Sequence, residues 1–197
     1  MNSEVTSAAI LVGGEGRRLG GVAKHRLAFG DGETLLARLA RLLADEVGGV
    51  TLISRRPVDT ALPVVLDTFS ERGAAAGVHA ALHHAPAGWV FVSACDLPCL
   101  DAATIRTLSA ARSTQDVVLA RAGGQLQPLA AFWHTRALPK LVGALSEGAL
   151  SLRALVGRLD ATLVEFTEAA PFTNVNLPED MAALGLTLTP ITSSRTA

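Results

Sequence analysis

Between residues 7 and 112 short apolar runs alternate with segments of helical period, and no other feature of the sequence restricts the fold as strongly. SAAILV (7–12) is an apolar run stopped by Gly13-Gly14, the pattern of a strand buried on both faces. ETLLARLARLLADEV (33–47) sets Leu35, Leu36, Leu39, Leu42 and Leu43 at helical spacing, with Arg38, Arg41 and Asp45 on other faces. GVTLIS (49–54) reads as the next strand. Strand, loop, helix and strand make a βαβ unit, whose crossover is right-handed and whose strands therefore run parallel.

The alternation continues with PVVLD (63–67) as a strand, GAAAGVHAALHHA (73–85) as a helix of small residues, and GWVFVSACD (88–96) as a buried strand with Asp96 at its carboxyl end. DAATIRTLSAAR (101–112) reads as a helix capped by Asp101, and DVVLAR (116–121) and PLAAFW (128–133) as strands. Residues 136–148 and 151–159 look helical, ATLVEF (161–166) is a late strand, and PEDMAALG (178–185) starts a last helix with Pro178 in its first turn. The expected architecture is a three-layer α/β/α, Rossmann-like sandwich with a mostly parallel sheet and an antiparallel strand from 116–133. Residues 1–187 are expected to form a single domain, with 188–197 a disordered tail. In such sheets ligands bind beyond the carboxyl ends of the strands, so the loop after the first strand and Asp96 should share one crevice.

With 17 basic and 18 acidic residues the net charge is -1, which gives no general attraction to nucleic acid or to anionic membrane. The hydrophobic share is 49%, yet charged residues or histidine interrupt every candidate membrane span. MNSEVTSAAILVGG has no basic start and breaks too early for a secretory signal, so a cytoplasmic location is expected. Cys95 and Cys99 lack the second pair of a structural zinc site and read as small buried thiols.

Any anion binding must then be local, and LVGGEGRRLGGVAKHRL (11–27) offers the means. Glycines let backbone N–H groups turn toward phosphate oxygens without Cβ clashes, and a nearby Lys or Arg neutralises the anion. Neither the P-loop pattern nor G-x-G-x-x-G is present. A glycine turn with solvated arginines is the competing reading.

The stretch LVGGEGRRLGGVAK resembles the L-x-G-G-x-x-x-R-[ML]-G-x-x-[DN]-K signature of the molybdenum cofactor guanylyltransferase (MobA-like) nucleotidyltransferase family, with Leu11, Gly13, Gly14, Arg18, Gly20 and Lys24 on signature positions. The resemblance extends through LDTFSERGAAAG, ACDLP (94–98), QPLAAFW (127–133) and FTNVNLPED (172–180), in the family's order over almost the whole chain. Three departures stand out: Ala23 where Asp usually precedes the lysine, Ala74-Ala75 for Pro-Leu, and Ile53-Ser54-Arg55 where an Asn often contacts the nucleotide.

The resemblance implies an Mg²⁺-dependent guanylyltransferase that moves GMP from GTP to the phosphate of molybdopterin and releases pyrophosphate. It makes molybdoenzymes or their chaperones candidate protein partners. Arg18, Lys24 and Asp96 would be catalytic, with Asp96 also the metal ligand. Leu11, Gly13, Gly14, Lys24, Asp67 and Asp96 would bind the nucleotide, and Asn174 and Asn176 the acceptor. No Ser-His-Asp machinery is needed, because a phosphate acceptor is already nucleophilic and the protein need only align reactants and stabilise negative charge. Asp67 can equally cap a turn, and Asn174 and Asn176 can form an Asx turn into the Pro178 helix. Relatives that transfer CMP tend to carry Ala-Gly at Gly13-Gly14. The alternatives are cytidylyl or other NMP transfer to a different phosphorylated small molecule, and a non-catalytic nucleotide binder, which Ala23, Ile53 and Ala74 motivate. His79 and His83 read as a helix face and Trp89 and Trp133 as core.

Overall fold

The computed structural model describes residues 5–13, 24–67, 73–148 and 151–188. The first apolar run forms β1 (Val5–Val12), and a 3-10 turn over Lys24–Arg26 leads into the two-residue β2 (Leu27–Ala28). Thr34 caps α1 (Leu35–Glu46), its hydroxyl accepting from the N–H of Ala37, and the helix buries Leu35, Leu36, Leu39 and Leu43. β3 (Val50–Ser54), β4 (Val64–Leu66), α2 (Gly73–His84) and β5 (Gly88–Ala94) follow, then α3 (Ala102–Ala110), where the Asp101 carboxylate accepts from Thr104 N–H at 2.7 Å.

β6 (Val117–Ala122) and β7 (Gln125–His134) form a hairpin whose two linking residues, Gly123 and Gly124, have φ of 54° and 74°. Both angles lie in the left-handed region that favours glycine and suits a tight hairpin. α4 (Leu138–Ser146), α5 (Leu152–Val156), β8 (Ala161–Phe166), α6 (Pro178–Ala183) and the two-residue β9 (Thr187–Leu188) complete the order.

The seven-stranded sheet runs β4-β3-β1-β5-β7-β6-β8. β7 is antiparallel to both β5 and β6, and the other pairings are parallel. One face packs Ile10, Leu52 and Phe91 with Leu39 and Leu43 of α1 and Ile105 and Leu108 of α3. The other packs Val90, Val92 and Leu119 with α2, α4 and α5. This is the expected three-layer α/β/α sandwich, with the antiparallel strand in the expected stretch. Every residue of β5 is buried, as an unbroken apolar run at the middle of the sheet requires. Trp89 and Trp133 are core residues, 3% and 0% exposed. Among the described residues no helix is long and apolar enough to cross a membrane.

A smaller sheet was not anticipated. β2 pairs antiparallel with β9, Leu27 with Leu188 and Ala28 with Thr187. Beside it Leu27, Leu35, Val175 and Leu186 form a separate buried cluster with Phe29, Met181 and Leu184 against it. Leu188, the first residue of the expected tail, therefore belongs to a strand; residues 189–197 lie outside the described ones.

Candidate functional site

β1 is followed by β3 on one side and flanked by β5 on the other, so the carboxyl ends of β1 and β5 border the point where the strand order reverses. A cavity of about 300 Å³ opens there. Leu11, Val12 and Gly13 line it from β1, and Ile53, Ser54 and Arg55 from the end of β3. Asp67 joins them one residue past β4, its backbone fixed by an N–H donated to the Ser54 carbonyl at 2.8 Å. Gly73, Ala74 and Gly77 of α2 form another wall. A Cβ on Gly77 would come within 3.0 Å of Leu11 Cδ1, so the missing side chain is what lets α2 lie against the end of β1.

Asp96, two residues beyond β5, also lines the cavity and is 8% exposed. The Cys95 N–H donates to the Leu11 carbonyl at 3.2 Å, and the Asp96 carbonyl accepts from the Val175 N–H at 3.0 Å. The peptide carrying the carboxylate is therefore tied to β1 on one side and to a segment near residue 175 on the other. Burial first, and the Asp96 charge second, push the Cys95 thiol up to about 12, so it stays neutral and inert.

Lys24 Nζ donates to Asp96 Oδ2 at 2.6 Å and to Asn176 Oδ1 at 2.7 Å. Asn174 Nδ2 donates to Asp96 Oδ1 at 3.4 Å, a long contact, and Asn174 lines the cavity as well. With side chains only 15% and 12% exposed, the Lys24–Asp96 pair is a short charge-assisted bond largely withdrawn from water. Behind it, Asp180 Oδ2 accepts from the N–H groups of Asn176 and Leu177, both at 2.8 Å. These two bonds, with the nearby Lys24 charge, hold the Asp180 carboxyl below the usual carboxylate range. His25 is held below its usual range by burial and by Arg26.

Of the residues singled out in the sequence, Leu11, Gly13, Asp67, Asp96 and Asn174 line one cavity, Lys24 joins it through Asp96, and Asn176 through Lys24. Gly14 and Arg18 lie outside the described residues. The Asn176 amide oxygen bonds Lys24. Asp180 escaped the sequence reading; its signal was a carboxylate at the third position of the Pro178 helix, where a capping side chain reaches back. Among the described residues no three His, Cys, Asp or Glu side chains gather to hold a metal, and the His79 and His83 rings stack along a helix face with centroids 5.7 Å apart. A second cavity, of about 360 Å³, shares Ala74, Leu129 and Asn174 with the first and is lined further by Gln127 and Arg153.

Residues 8–162 match the profile of the MobA-like NTP transferase domain. The chain is 31% identical over 186 residues to the molybdenum cofactor guanylyltransferase of Vibrio cholerae, covering 91% of each chain. It is 28% identical over 193 residues to that of Photobacterium profundum, covering 95% of this chain and 99% of the relative. Among solved structures, the molybdopterin-guanine dinucleotide biosynthesis protein A of Archaeoglobus fulgidus superposes with a TM-score of 0.77 at 22% identity, over 91% of this chain and 96% of that one. The 2-C-methyl-D-erythritol 4-phosphate cytidylyltransferase of Thermus thermophilus superposes at 0.67 with 18% identity, over 91% and 97%. Both are likenesses of fold.

Proposed function

This chain belongs to the MobA-like NTP transferase family and is a nucleotidyltransferase; from that premise we propose that it transfers GMP from GTP to the terminal phosphate of molybdopterin. An acceptor phosphate oxygen attacks the α-phosphorus of GTP. A new P–O bond forms there, and the bond to the bridging oxygen of the β-phosphate breaks, so pyrophosphate leaves with the bond electrons. The acceptor enters as an anion, so no side chain has to remove a proton; the work is alignment and charge stabilisation.

The observation that carries this reading is the meeting of Lys24 and Asp96 at the switch-point cavity. Lys24, at the end of the glycine-rich loop, holds triphosphate oxygens and balances the charge that builds on the leaving pyrophosphate. Gly13 and Leu11 line the same cavity on the β1 side, and Asp67, Ser54 and Arg55 on the side assigned to the nucleoside. Arg18 is proposed to act with Lys24. Asn174 lies between the two cavities, which supports placing the acceptor in the second one, with Asn174 and Asn176 on its phosphate side.

Asp96 and Asp67 both line the cavity and offer carboxylate oxygens, the ligand chemistry that suits Mg²⁺. Asp96 would hold the ion, with phosphate oxygens and waters completing its shell. Bound there, Mg²⁺ would neutralise phosphate charge and favour departure of pyrophosphate. Asp96 Oδ2 accepts from Lys24, so for Lys24 to hold phosphate while Asp96 holds the ion, this bond has to be exchanged for one to the triphosphate.

Pyrophosphate release measured with molybdopterin, Mg²⁺ and each nucleotide in turn tests the proposal. GTP should be used in preference to CTP and ATP. Preference for CTP would overturn the base assignment, and tight GTP binding without turnover would favour a non-catalytic binder.

A further inference from the structure

Asp180 lies behind the cavity and does not line it, yet it takes two backbone N–H groups on a single carboxylate oxygen. The bond from Leu177 N–H is what capping α6 requires, because Leu177 is the N-cap. The bond from Asn176 N–H falls one residue before the cap and contributes nothing to starting the helix. Its effect is on Asn176, whose amide oxygen reaches Lys24 Nζ at 2.7 Å.

We propose that Asp180 is a positioning residue, which fixes the backbone of Asn176 so that its side-chain oxygen holds the Lys24 ammonium against Asp96. The inference rests on the use of Lys24 in the reaction described above. The segment has a second anchor: Val175 is 0% exposed in the cluster with Leu27, Leu35 and Leu186, and its N–H is bonded to the Asp96 carbonyl. Removing the Asp180 carboxylate therefore frees the direction of Asn176 while leaving the segment attached.

Lys24 and Lys140 are the only lysines in the chain, so acylation by an amine-reactive ester, read by mass spectrometry on the ligand-free protein, reports Lys24 with Lys140 as internal reference. Asp180→Ala should speed labelling of Lys24 relative to Lys140 and lower kcat/KM by about tenfold, and Asp180→Glu should restore both. In an Asn176→Ala background Asp180→Ala should add nothing to either readout. Unchanged Lys24 labelling in Asp180→Ala, or independent effects of the two substitutions, overturns the proposal. If Asp180→Ala fails to fold by circular dichroism, Asp180→Asn, which keeps an oxygen but no charge, should shift labelling in the same direction to a smaller extent; no shift again overturns it. Labelling does not depend on turnover, so normal activity in Lys24→Ala would strike the assigned function, whereas unchanged labelling strikes only the role of Asp180.

Discussion

Lys24 and Asp96, the carboxylate that would carry the metal, share a 2.6 Å charge-assisted bond, so each charge is balanced by the other. Lys24→Ala and Asp96→Ala should each cost about a hundredfold or more in turnover, because each removes a group aimed at developing phosphate charge. Steady-state pyrophosphate release checks the loss, and a thermal melt by circular dichroism checks that the fold survives. Asp96→Asn is the sharper test, since it keeps an oxygen for Lys24 and gives up only the negative charge. It should be nearly as inactive as the alanine variant. The contact was legible in part: the rule that ligands gather at strand ends put Asp96 and the glycine loop in one crevice, and the two described residues that flank that loop, Gly13 and Lys24, do meet Asp96 there. The step from Lys24 to Asn176 to Asp180 was not legible, because it spans residues far apart in the chain and depends on side-chain direction, which carries no periodic signal.

At the scale of the elements, the apolar runs and helical spacings mark all seven strands of the large sheet, since burying β1 or β5 on both faces demands a run that composition displays openly. The pairing of β2 with β9 left no such trace, because two residues per strand are too few to show an alternation. Where α2 meets β1, Gly77→Ala should push the Leu11 side chain aside and raise the KM for nucleotide. Stability should move little, as the helical gain of roughly 1 kcal/mol from alanine offsets the crowding; a KM like that of the wild type would show that Leu11 yields away from the cavity. Asp116, 4% exposed, clasps three elements: its Oδ2 accepts from Lys140 Nζ of α4 at 2.6 Å and from Asp160 N–H, just before β8, at 2.9 Å, while its own chain continues into β6. Burial raises its pKa, but the Lys140 and Asp160 bonds outweigh it and hold the carboxyl below its usual value. The unfolded chain then binds the proton more readily, so this contribution is present at neutral pH and is lost as pH falls below about 4 through the depressed folded value. Urea unfolding from pH 6 to pH 3 should show a shallower loss of stability in Asp116→Asn than in the wild type. Asp116→Ala should cost ~1–3 kcal/mol at pH 7 through the donors it abandons.

For the whole molecule, the large sheet is complete at Phe166, whereas Asn174, Asn176, Asp180 and the partner strand of β2 all come later. The family match also ends at residue 162, before these groups. A chain stopped after Glu168 should keep its sheet by circular dichroism and bind nucleotide weakly. It should release no pyrophosphate, and measurable turnover would show that the last segment is dispensable. Because Lys24 and β2 precede all but the first strand of the large sheet in the order of synthesis and Asn176 and β9 follow it, a growing polypeptide completes its scaffold before its chemistry can begin. Synthesis itself acts as a timer, and a chain abandoned on the way carries the loop of the enzyme without its grip.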